Sequence, residues 1–302
     1  MIVVLAGGTG GAKLARGMLD VVGPAGLAVV VNTGDDSVMH GAHVSPDPDL
    51  VTYWLADLID DRGWGIEGDT WNVMDALEAA GAPAWFRLGD RDLAMCLIRT
   101  ALLDQGRRLT EAHAAVSSGL GVEAQVLPMA DQPVRTRVQA AGEWLPLQEF
   151  LILKRDAEPE DLEFEGIGAA RPTPEVLAAI AAAEAIVIGP SNPAISIGPI
   201  LAVPGMQDAL AASGAPVVAV SPFVAGRAIK GPTEAFCRQA GWALGAAGIA
   251  QAYDGVIHGV VSDEQDPVPG LPSLTVRTLM ATADDRRGLA QQSLDFALSL
   301  RQ

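Results

Sequence analysis

The chain has 302 residues, 49% of them hydrophobic and 19% charged, a composition that excludes intrinsic disorder and describes a folded globular protein. Acidic residues number 37 against 20 basic ones, and the net charge of −17 excludes nucleic acid and an anionic membrane as partners, since both demand a basic face. The two cysteines, Cys96 and Cys237, and a first apolar run too short for a membrane span lead us to expect a cytoplasmic protein.

In chain order, "IVVLA" reads as a buried strand, "GGTGGAKLARGMLDVV" as a glycine turn opening a helix, and "GLAVVVNT" as a second buried strand. "DLVTYWLADLID", "DTWNVMDALEAAG" and "DRDLAMCLIRTALLDQG" carry helical apolar spacing. "EAQVLPM" and "PVRTRVQAAGEWLPLQEFLIL" read as extended, with a hairpin near Ala141 and Gly142. The polar run "KRDAEPEDLEFEG" reads as an exposed connection. "TPEVLAAIAAAEAIVIGPSNP" is a helix feeding a strand and a second turn, with Ser196 a candidate cap for the next helix. "APVVAVSP", "YDGVIHGVV" and "LTVRTLM" read as strands, "PTEAFCRQAG" and "ADDRRGLAQQSLDFAL" as helices. Apolar strands alternating with helices predict an α/β, Rossmann-like, mainly parallel sheet with helices on both faces. One domain over 1–302 is expected, with a core at about 1–130 and 175–302 and an inserted or appended segment at about 131–174.

Gly7 to Lys13 follow a strand and open a helix, where glycines let backbone amides approach a phosphate. The spacing is neither the dinucleotide fingerprint nor a Walker A loop, and a tight turn with close helix–strand packing is the plainer alternative. Lys13 and Arg16 lie one helical step apart and can share a face toward an anion. The second strand ends in an acidic loop bearing Asp35, Asp36, Asp47 and Asp49, placed where open α/β sheets hold their sites. Such carboxylates suit Mg2+ bridging a substrate phosphate; N-capping is the alternative, above all for Asp36 and Asp47. His40 and His43 suit structural or substrate hydrogen bonds better than a metal, with no Cys or third His nearby. Trp85, Phe86 and Arg87 suit a flat heteroaromatic ligand, although Asp90, Arg91 and Asp92 equally suit surface pairing and capping. Ser191 and Asn192 are candidates for a phosphate or nucleobase edge.

The blocks "GGTGGAKLARG", "NTGDDSVMHG", "SPDPDLVTYWLA", "RGWGIEGDTWN", "WFRLGDRDLA", "LPMADQPVRT", "LQEFL", "GPSNPAISIGPIL" and "AVSPFVAGRAIKGPTEAF" together resemble, in order, the phospholactate or phosphoenolpyruvate transferases of coenzyme F-420 biosynthesis. The resemblance runs to about Phe236 and weakens after it. It implies transfer of a phospho-acid from a guanosine-diphospho-acid to the ribityl hydroxyl of the deazaflavin Fo, with release of GMP. It also implies a requirement for Mg2+, a homodimer, and an addition to the core that forms the Fo pocket. On these residues it implies Gly8, Thr9, Gly10, Gly11, Lys13, Ser191 and Asn192 at the nucleotide; Asp35 and Asp49 as catalytic and metal-binding; and Asp49, Trp85, Arg87 and Asp90 at Fo. A nucleotide- or sugar-nucleotide-binding regulator on the same core is the alternative, and an NAD-dependent oxidoreductase is disfavoured by the missing third glycine.

Overall fold

The computed structural model describes residues 1–154, 156–229, 231–264 and 268–301. Seven strands form one parallel sheet in the order Ser273–Thr275, Gly259–Ser262, Val217–Val220, Ala185–Ile188, Ile2–Ala6, Leu27–Val31, Gln125–Pro128. The first strand lies inside the sheet. The chain runs outward on one side through Leu27–Val31 to Gln125–Pro128, then returns to build the other side from Ala185–Ile188. This is the doubly wound arrangement, and its switch point lies between Ile2–Ala6 and Ala185–Ile188.

The strands are apolar without alternation because both faces are covered. Val3, Leu5, Val30, Ile186 and Ile188 face one core; Val4, Val29, Val31 and Val187 face the other. The second core receives Leu14 and Met18 of the helix Gly8–Val22, Val51 and Trp54 of Pro46–Leu55, and Leu289 and Leu294 of Ala283–Ser299. No single helix among the described residues is long and apolar enough to cross a membrane.

Residues 135–165 add a separate antiparallel sheet, with Arg135–Ala140 between Glu143–Pro146 and Asp161–Glu165. Ala141 (φ 50°) and Gly142 (φ 78°) make the expected two-residue hairpin turn. Two expectations fail here. "LQEFLIL" is helical from Leu147 to Leu153, because Leu147 and Phe150, three apart, both bury against Ile195 and Phe236. In the polar run 154–166, of which residue 155 lies outside the described residues, Leu162 and Phe164 alternate inward and make a strand. The sequence reading assigns no helix at Leu109–Gly119; its start is held locally by Glu111, which accepts from the Arg108 N–H (3.1 Å), and from farther along the chain by Asp131, which accepts from the Thr110 N–H (2.9 Å) and hydroxyl (2.7 Å).

Candidate active site

The turn after the first strand and the turn after Ala185–Ile188 meet at the switch point. A Cβ on Gly10 would collide with the Pro190 carbonyl, so glycine is required for the two turns to nest. Gly11 is similarly tight against Ala6 and the Ser191 hydroxyl and serves packing. Beyond the nested turns opens a cleft of about 630 Å³. Gly8, Thr9, Gly10, Lys13, Ser191 and Asn192 all line it, together with Phe150 from the added segment and Thr278 from near the C-terminus. The lining thus joins the expected nucleotide residues to apolar side chains such as Phe150, Leu151, Pro222 and Val224 and to the hydroxyls of Ser221, Thr233 and Thr278.

Lys13 Nζ donates to the Met280 carbonyl at 3.2 Å and lies 5.6 Å from the centre of the Trp54 ring. Arg16 does not share its direction. It pairs with Asp57 (2.8 Å) and with Asp20 on the outer face of the helix, which corrects the expectation that both cations face an anion. Asn192, not Ser196, caps the helical turn that follows: its Oδ1 accepts from the Ala194 and Ile195 N–H groups at 2.9 and 3.3 Å.

The acidic loop divides into two networks. In the first, Asp47 is buried and ties the loop to the glycine turn, accepting from the Gly8 N–H (2.6 Å) on Oδ1 and from Asn32 Nδ2 (2.9 Å) on Oδ2. It is therefore no cap for its own helix, as the capping alternative had it; it sits at the start of the helix Gly8–Val22 instead. The same Asn32 amide lies 3.5 Å from Asp35 Oδ1, while Gln148 Nε2 donates to Asp35 Oδ2 at 3.0 Å. Burial, then the charges of Asp47 and Asp36, push the Asp35 carboxyl well above the carboxylate range. Burial likewise raises Asp47 to about 6 and Asp36 to about 7. Asp36 accepts from the Ser45 hydroxyl (2.7 Å) and lies 3.6 Å from His43 Nε2. Three buried carboxylates whose pKa values burial raises thus share this loop, and Asp47 bonds it to the glycine turn.

The second network holds Asp49. Both of its oxygens are taken by Arg99, at 2.6 and 2.7 Å, and Arg99 also donates to the His43 carbonyl at 3.0 Å. Potential ligand atoms of Asp49, Asp92 and Cys96 lie within 4.8 Å of one another, but Asp92 accepts from Tyr53 and Asp49 already has its cation. Asp35 and Asp49 therefore have different partners, Asn32 and Gln148 for one and Arg99 for the other.

The aromatic block lies over a separate small core that includes Phe86, Leu88, Leu93 and Cys96. Trp85 packs edge-on to Phe86, with ring centres 5.7 Å apart. Arg87 bridges Asp75 and Glu78 and covers the Trp71 ring at 5.4 Å. Asp90 accepts from the Thr70 hydroxyl (2.6 Å) and the Val73 N–H (3.0 Å), which holds its pKa near 2 and anchors the start of the helix Asn72–Ala79. Neither Asp35, Asp49, Trp85, Arg87 nor Asp90 lines the 630 Å³ cleft.

Sequence reasoning overlooked Asn32, Arg99, Gln148 and Thr278. Arg99 had a signal: it falls six residues after Leu93 and three after Cys96 on an apolar helical stripe, where a cation must find a buried carboxylate.

A protein-family model described as 2-phospho-L-lactate transferase CofD matches residues 2–283. The chain is 36% identical over 300 residues to the 2-phospho-L-lactate transferase of Methanosarcina mazei, covering 96% of this chain and 98% of that protein. It is 37% identical over 315 residues to the phosphoenolpyruvate transferase of Streptomyces griseus, covering 99% of each. Among solved structures, a member of the UPF0052 family from Bacillus halodurans aligns with a TM-score of 0.62 and 18% identity over 97% of this chain and 98% of that one, a likeness of fold alone. The parallel sheet, the nested turns and a match extending over most of the sequence agree: the chain belongs to the 2-phospho-L-lactate transferase CofD family.

Proposed function

We propose that this protein moves a phospho-acid group from a guanosine-diphospho-acid to the ribityl hydroxyl of Fo, releasing GMP, in coenzyme F-420 biosynthesis. The observation that carries the reading is the Asp47–Gly8 contact: it joins a cluster of under-neutralised carboxylates directly to the turn that lines a nucleotide-sized cleft. The names of the relatives, for phospholactate and for phosphoenolpyruvate, support the class of donor.

In the proposed reaction the Fo hydroxyl oxygen bonds to the phosphorus bearing the small acid, and the bond from that phosphorus to the GMP oxygen breaks. Such transfer depends on positioning and charge neutralisation more than on a strong base. The glycine turn and Lys13 would hold the diphosphate, Asn192 would donate to it from its fixed amide, and Asp35 would orient the hydroxyl and receive its proton. Asp49, held by Arg99, would position the acidic loop.

Mg2+ fits this donor set. Asp35 and Asp47 offer hard oxygen ligands where burial has left negative charge uncompensated, whereas Asp49 already has Arg99. When bound, the ion would supply charge neutralisation for the diphosphate and the departing phosphate. Fo, with Trp85 and Arg87 contacting it, and a homodimeric cytoplasmic enzyme complete the proposal.

The test is mass spectrometry of the product after incubating the protein with Fo, Mg2+ and competing guanylylated acids. A species heavier than Fo by one phospho-acid, with GMP released, is expected and names the donor. Unchanged Fo with every donor would refute the reading.

A further inference from the structure

The chain beyond Phe236 carries no motif, yet part of it walls the cleft. Thr278 to Met280 line the cavity that the glycine turn and Asn192 also line. This strap begins where the sheet ends: the Val276 N–H makes its bond to the Ser262 carbonyl at 2.8 Å, one residue after the strand Ser273–Thr275. It finishes at the helix Ala283–Ser299, whose start is fixed by Thr282 and Asp285 capping one another. Lys13 holds it in between through the Met280 carbonyl. Thr278 is therefore displayed from a segment tied at both ends and near its middle.

Thr278 is only 4% exposed, and its buried Oγ1 has no hydrogen-bond partner among the described residues. A buried hydroxyl left unpaired is unfavourable, and on a residue that lines a cavity a ligand atom supplies the missing partner once the side chain turns toward it. Asn192 repeats the pattern from the other turn. Its Oδ1 is occupied by two backbone N–H groups, which fixes the amide orientation and leaves the buried Nδ2 without a partner among the described residues.

We propose that the Thr278 hydroxyl hydrogen-bonds the nucleoside half of the nucleotide donor. The assignment rests on the transferase reading above and adds to it a contact from the C-terminal stretch. Phosphates require amides and cations, which the cleft offers at the glycine turn and Lys13. The cleft also places Leu279, Met280, Pro222 and Val224 on its wall with Thr278, an apolar surface that suits a sugar or heterocycle with one polar anchor.

Binding of GDP, GMP and pyrophosphate to the full chain, measured by calorimetry, tests this. Thr278→Val keeps the shape and removes the hydroxyl; Thr278→Ser keeps the hydroxyl; Thr278→Ala serves if the valine variant fails to fold. Loss of the hydroxyl is expected to weaken GDP and GMP by about tenfold each. Pyrophosphate binding should stay unchanged, the serine variant should retain wild-type affinity, and KM should rise for the nucleotide donor but not for Fo. Wild-type GDP affinity without the hydroxyl overturns the assignment, as does an equal loss for pyrophosphate or a serine variant as weak as valine. Failure of the wild-type chain to bind GDP would refute the transferase reading first, and this contact with it.

Discussion

Arg99 grips Asp49 through both carboxylate oxygens, Nη1 to Oδ1 at 2.6 Å and Nη2 to Oδ2 at 2.7 Å, with both side chains buried. Breaking such a pair from one side strands a charge away from water. Asp49→Asn is therefore expected to lose about 3–5 kcal/mol of stability. The double variant Asp49→Asn with Arg99→Met should recover a large part of that, as urea denaturation would show. A single variant with the wild-type midpoint and no turnover would place Asp49 at the substrate rather than in the scaffold.

Among the described residues no arginine pairs with Asp35, whose side-chain partners are the amides of Asn32 and Gln148. Asp35→Asn should lower kcat on the order of a hundredfold and raise the Mg2+ concentration needed for half-maximal rate. The melting temperature should not fall, because burial, followed by the charges of Asp47 and Asp36, already disfavours the ionised carboxylate there and the amide carries no charge. Wild-type turnover across a Mg2+ titration would end this assignment.

His113 is fully buried between Thr52 and Ser117, with Nε2 at 3.1 and 3.2 Å from their hydroxyls, and burial pulls its pKa from 6.5 down to about 4. The folded state therefore excludes a proton that the unfolded chain binds. The contribution of His113 to stability is complete above about pH 6.5, declines as pH falls toward 4, and is then reduced by roughly 3 kcal/mol. His113→Gln should flatten this acid limb, as read from urea midpoints at pH 7.5 and 5. An acid slope as steep as that of the wild type would contradict the assignment.

Arg87 is exposed and pairs with Asp75 and Glu78, so its truncation should barely move the melting temperature. If the Trp71–Arg87 surface receives the deazaflavin, Arg87→Ala should raise KM for Fo about tenfold while leaving KM for the nucleotide donor unchanged. An unchanged Fo KM would confine Arg87 to the surface ion pairs.

The sheet was legible in the sequence because strands buried on both faces must be apolar throughout, and "IVVLA" and "LAVVV" obey that local rule. The glycine turn was legible for a similar reason: a close backbone approach admits no Cβ at Gly10, and the chain position after a strand gives the turn its place. Where a local signal was missing, the reading failed. "LQEFLIL" coils because Ile195 and Phe236 wait for its apolar side, whereas the helix at Leu109–Gly119 did carry a local signal, Glu111 closing back on the Arg108 N–H, that the reading passed over before Asp131 added its support.

By itself the sequence determined the residue types: apolar strands, a glycine turn after the first, an acid-rich loop after the second, and an overall negative charge. Only the tertiary structure decided which acids keep their charge uncompensated. Asp47 and Asp49 are two residues apart, yet one meets the Gly8 amide and the other meets Arg99. Successive positions on a helix point in different directions, and the partner that waits in each direction is supplied by distant parts of the chain.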